Sequence, residues 1–128
     1  MGTEETFDLA AAGLRGDGAE LATSLEVLAA KLEGALPGRA RVERGGGGLL
    51  GRSPKRVRRV QVELGNCIYR LDIDGDRLEG SRERQVGGIA IKREPLGAED
   101  WLAALTADLR AEAERSAEAR AALERLLG

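Results

Sequence analysis

The hydrophobic period of this chain changes twice, which narrows the folds open to it. From Asp17 onward Leu21, Leu25, Leu28, Leu32 and Leu36 recur at spacings of three and four residues, the stripe of an amphipathic helix. Asp17 followed by Glu20 forms a capping-box variant at its start, and Gly34 or Pro37-Gly38 stops it. In the middle the period drops to two. Val60, Val62 and Leu64 alternate with Gln61 and Glu63, and Cys67, Tyr69, Leu71 and Ile73 alternate with Ile68, Arg70 and Asp72. After Pro95-Leu96-Gly97 the helical period returns, with Trp101, Leu102, Leu105 and Leu109, then Leu123, Leu126 and Leu127, on the buried side.

This order predicts a single α+β domain over 1–128: a helical segment 1–38, antiparallel strands within 39–94, and a long helix over 95–128. A short helix over Glu4–Leu14 is expected ahead of the long one. The sheet should hold four or five strands: Arg39–Arg44, the two alternating runs, a polar run over Arg77–Arg84, and a short run through Ile89 and Ile91. Gly65-Asn66 and Asp74-Gly75-Asp76 supply the turns. Aromatics are limited to Phe7, Tyr69 and Trp101, so Leu, Val, Ile and Ala must fill the core.

Charge is sorted by segment. Residues 39–94 carry 14 Lys/Arg against 8 Asp/Glu, whereas 1–38 carry 2 against 7 and 95–128 carry 4 against 7. A net charge of −2 thus hides a basic centre between acidic flanks. The basic residues crowd behind a glycine-rich loop, with Leu49-Leu50 at its tip and Arg52, Lys55, Arg56, Arg58 and Arg59 following. Three readings fit this stretch. It is a solvated edge strand protected by charge, a reversible contact with an anionic membrane, or a grip on nucleic-acid phosphates. The scarcity of aromatics places the last below the second, because single-strand platforms stack bases on them.

Most catalytic chemistry lacks its residues. There is no histidine, which removes Ser-His-Asp and Cys-His arrangements and the commonest metal ligand. The single cysteine, Cys67, lies in phase with Tyr69 and Leu71 and reads as a small core hydrophobe. Asp72-x-Asp74-Gly75-Asp76 offers carboxylates to a hard cation, but strands flank it where an EF-hand has helices, and hairpin chemistry explains it. Gly46-x-x-x-x-Gly51-Arg52-Ser53 imitates a phosphate loop, yet Pro54 and a strand follow where that motif needs a helix. No catalytic, cofactor-binding or metal-binding residue is assigned.

The order of helix, antiparallel strands and helix resembles the type III secretion chaperone fold. The likeness is topological and covers most of the chain. It implies a non-enzymatic protein that binds other proteins and often dimerises.

The expected function is therefore a protein-binding adaptor or chaperone-like module, homodimeric through the alanine-rich tail from Ala111 to Gly128. The alternative is a peripheral binder of anionic surfaces, membrane lipid before nucleic acid, through residues 45–59. No run approaches the ~20 apolar residues of a membrane span, so a cytoplasmic place is expected, at most membrane-peripheral. Arg outnumbers Lys 17 to 3, a bias of GC-rich bacterial genomes.

Overall fold

A computed structural model describes residue 14, residues 18–45 and residues 56–128. Helix α1 spans Gly18–Ala35. Five strands follow: β1 Ala40–Gly45, β2 Arg56–Leu64, β3 Cys67–Asp74, β4 Arg77–Val86 and β5 Ile89–Leu96. Helices α2, Ala98–Ala113, and α3, Ala117–Leu127, complete the chain. The strands form one antiparallel sheet in chain order, β1-β2-β3-β4-β5. This is the α+β architecture that the two changes of period predict, with one amendment. The segment after residue 95 forms two helices. The expected short helix at 4–14 lies outside the described residues apart from Leu14, which is buried in the core.

The break between α2 and α3 has a local cause. Ser116 leaves the helical region at φ −142°, and its Oγ accepts a hydrogen bond from the Ala119 amide at 3.2 Å. A serine in that role satisfies an amide at the start of a new helix that would otherwise lack a partner. The chain then doubles back, and α3 packs on both α1 and α2. Ala119, Ala122 and Leu126 are buried there. The small-residue side of the tail, expected to await a partner helix, is occupied within the chain.

All five leucines of the α1 stripe are buried, and they meet Val57, Val60, Val62, Leu64, Tyr69 and Leu71 on one face of the sheet. Val57 joins this face despite lying three residues from Val60. The β1–β2 register slips beside Arg58, a bulge that restores the phase. Three turns of two residues connect β2 to β5. Gly65 and Gly75 open theirs at φ 60° and 61°, and Gly87-Gly88 has both residues positive, at 58° and 80°. These signs match the II′ and I′ turns whose twist suits hairpins.

The opposite face of the sheet is a charged lattice, and no helix among the described residues packs on it. Arg59 Nε donates to Asp72 at 2.6 Å, and its Nη1 lies 3.7 Å from Glu43. Arg70 donates twice to Gln61, at 3.2 and 3.3 Å. These are direct cross-strand pairs, the positions where opposite charges stabilise a sheet.

Candidate functional site

The basic stretch divides in the structure. Leu49, Leu50, Arg52 and Lys55 lie outside the described residues. Arg56, Arg58 and Arg59 stand on β2, all exposed. Arg59 is engaged by Asp72 and Glu43, and the hydrogen bond to Asp72 chiefly holds its guanidinium pKa above the usual arginine value. Its positive charge is largely answered. Arg58 lies over Gly45, where an added Cβ would come within 2.9 Å of its side chain. Among the described residues Arg56 and Arg58 have no ion-pair partner. The five-residue cluster is thus two open arginines and one paired one, as far as the described residues extend.

A second surface has no counterpart in the sequence reading, and the path of α2 creates it. Call the two ends of the sheet the Gly65 end and the Gly75 end, after their turns. Helix α2 starts at the Gly75 end, where Trp101 sits over Gly80 of β4. Trp101 meets the Tyr69 ring edge-on, centroids 6.3 Å apart and planes at 81°. About two turns further on, Asp108 accepts a hydrogen bond from the Tyr69 hydroxyl and lies 3.9 Å from Arg82. At the Gly65 end the helix has crossed to the β2–β3 turn, where Glu112 stands beside Gly65. The helix therefore runs diagonally, from β4 toward β2.

That diagonal leaves the Gly65 end of the β4–β5 hairpin without a helix over it among the described residues. Register places Arg84 opposite Cys67, and Lys92 opposite Arg84, so both share the helix-facing side of the sheet. Val86 and Ile89 pair at the tip, two residues beyond. Ile91 is the extra residue of a β5 bulge, between Lys92, which pairs with Arg84, and Ala90, which pairs with Gln85. Val86, Ile89 and Ile91 are 57%, 69% and 57% exposed, and they are the large apolar side chains that stand exposed among the described residues. Arg84 and Lys92 beside them are exposed too. This corner is an apolar tip with a basic base.

The titratable groups under α2 behave as parts of a structural network. Burial, and then the nearby Glu112 charge, raise the Asp108 carboxyl above its ordinary value. Arg82 donates to Glu94 at 2.7 Å and holds that carboxyl below its ordinary value. A hollow of about 160 Å³ lies between the end of α1 and the start of α3, lined by Ala35, Leu36, Leu64 and Ala122. Arg39 and Glu118, 3.4 Å apart, also line it. Asp72 of the acidic turn is taken by Arg59. Among the described residues no three Cys, Asp or Glu side chains gather where a metal could sit. No described helix is long and apolar enough to cross a membrane.

The sequence could have flagged the corner. Val86-Gly87-Gly88-Ile89-Ala90-Ile91-Lys92-Arg93 holds a two-glycine turn between apolar residues, and a basic pair follows. What it lacked was the helix path that leaves these residues uncovered. Comparison with protein-family models, with curated proteins and with solved structures finds no match.

Proposed function

We propose that this chain is a non-enzymatic protein-binding module, adaptor or chaperone-like, that presents the Gly65 end of its β4–β5 hairpin to a protein partner. One observation carries the reading: Val86, Ile89 and Ile91, the exposed large apolar side chains, all belong to one hairpin. Single exposed hydrophobes are ordinary, but a cluster rimmed by charge marks an interaction surface. The chaperone-like part rests on the resemblance in topology alone. A homodimer through the tail would use its exposed side, which carries Ala111 and Ala117, because Ala119 and Ala122 pack within the chain.

The alternative, peripheral binding to anionic lipid or, after it, nucleic acid, draws support from Arg56 and Arg58. It is weakened by the pairing of Arg59. Affinity purification of the tagged protein from its native lysate, at low and high salt, separates the two. The wild type and an Arg56→Ser/Arg58→Ser variant are expected to retain a stoichiometric protein at high salt. An Ile89→Asp/Ile91→Asp variant, with an unchanged thermal melt, should lose it. Lipid or nucleic acid that leaves as salt rises, and that depends on Arg56 and Arg58, would transfer the function to the basic stretch. Bare protein in every arm would reject both readings.

A further inference from the structure

We infer that the bare corner of the sheet receives an acidic amphipathic helix of the partner protein, laid beside α2 over Arg84, Val86, Ile89 and Lys92. This deepens the proposed function and rests on it. Four observations select a helix, and an acidic one.

First, among the described residues the helix layer leaves one part of this face of the sheet uncovered. Helix α1 packs on β1 and β2, and α2 on β3, β4 and β5. The diagonal of α2 uncovers the helix-facing side of β4 and β5 only at the Gly65 end. A sheet face of this kind is ordinarily closed by a helix that buries one apolar stripe against it.

Second, the free edge of β5 is poorly suited to taking another strand. The bulge at Ile91 interrupts its ladder, and Pro95 has no N–H to offer at the other end. Strand addition needs an unbroken row of backbone donors and acceptors. The exposed residues recognise a partner with their side chains instead.

Third, the corner holds more positive charge than the fold answers, since the carboxylate whose field reaches Arg84 and Lys92, that of Glu94, is hydrogen-bonded to Arg82. Arg84 and Lys92 are direct cross-strand neighbours of like sign. Such pairs destabilise a sheet unless an anion relieves them. Among the described residues neither lies within ion-pair distance of a carboxylate, and Glu94, which pairs directly with Arg82, is shared by all three cations. Arg93, the next residue of β5, stands on the other face opposite Glu83 and takes no part in this corner.

Fourth, the same charge argues against a second copy of this chain. An isologous contact through this corner would bring two sets of Arg84 and Lys92 together, a repulsion that like charges across an interface impose. A helix with leucines at i, i+3, i+4 and i+7 and glutamates beside them meets both needs of the surface.

The test is an amide-shift titration of the full chain with an acetylated, amidated model peptide of roughly 18 residues, built of leucine, alanine and glutamate in that pattern. A second peptide carries lysine in place of glutamate. The acidic peptide is expected to shift Cys67 and residues 84–93, and to bind at least about tenfold more tightly than the basic one. Lys92→Glu, at an exposed site, should abolish that preference, because it turns the like-charge pair with Arg84 into one of opposite sign. Equal binding of the two peptides, or shifts centred on Arg56 and Arg58, would overturn the inference. So would a concentration-dependent dimer abolished by Ile89→Asp, which would give the corner to a second copy. An unbound acidic peptide, alongside a lysate protein lost on Ile89→Asp, would sink the acidic helix and leave the binding module standing.

Discussion

Gly80→Ala is expected to destabilise the protein by about 1–3 kcal/mol, the cost of overpacking a filled core, although it adds a single methyl group. A Cβ at Gly80 would stand 2.6 Å from the carbonyl oxygen of Leu96, and 2.9 and 3.0 Å from Cδ1 and Cβ of Trp101. The first of these atoms is backbone of the paired strand β5, so no rotamer relieves the contact. The other two belong to a side chain that is fully buried. Either β5 or the start of α2 must move, and both are anchored by the same tryptophan. Gly34→Ala provides the contrast. Gly34 lies within α1 with nothing inside 4 Å of its added Cβ, so alanine there should stabilise by roughly 0.5–1 kcal/mol through helix propensity. Urea unfolding of the two variants checks both signs. A Gly80→Ala protein as stable as the wild type would mean that Trp101 does not sit over this strand.

Leu126→Ala should be more damaging still, at about 2–5 kcal/mol, the range for emptying a buried leucine site. The reason is its position. Leu126 is fully buried two residues from the end of the chain, in the cluster that joins α3 to α1 and α2. Had the tail projected as an arm toward another molecule, the same change would leave the melting temperature of the monomer untouched. Thermal unfolding, with Glu124→Ala as an exposed control on the same helix, distinguishes the two. An unchanged melt for Leu126→Ala would return the tail to solvent.

Much of this architecture was legible before any coordinate, for reasons that differ by element. The five α1 leucines announced a helix because their spacing has a single buried solution, and all five are buried. Val60 to Leu64 and Cys67 to Ile73 declared strands by alternation, and their turn residues fixed where they pair. Local chemistry sufficed there. It did not suffice for the tail. Between Glu112 and Arg120 the sequence has only alanine and polar residues where a core stripe would run, a pattern that fits an exposed arm as well as a tightly packed helix. Close packing against α1 selects the second, and Ser116 was the one local signal that a new helix begins.

The candidate site was legible only in part, for the same physical reason. Positive charge near Arg56 to Arg59 is visible in any sequence, but whether it is free depends on what lies across the ladder. Asp72 answers Arg59 from β3, and Glu43 does so from β1. At Arg84 and Lys92 the register instead brings like charges face to face. The exposure of Val86, Ile89 and Ile91 depends on the angle at which α2 crosses the sheet. That angle follows from Trp101 docking over Gly80, and a one-dimensional pattern does not encode it.

The contact between α1 and α3 has a consequence for how this chain can be cut and rejoined. The end of α1 and the start of α3 meet at one end of the molecule, where Arg39 and Glu118 lie 3.4 Å apart. The helices run in opposite directions from there, so Gly18 and Leu127 both point toward the other end, the one where β1 gives way to β2. Every strand pairs only with its neighbours in sequence, and the β1–β2 pair is held by its own ladder. A circular permutant that links α3 to α1 and begins at β2 would keep each packed interface described above. The fold is in this sense a closed ring of contacts, and the order in which a ribosome reads it is one of several that would serve.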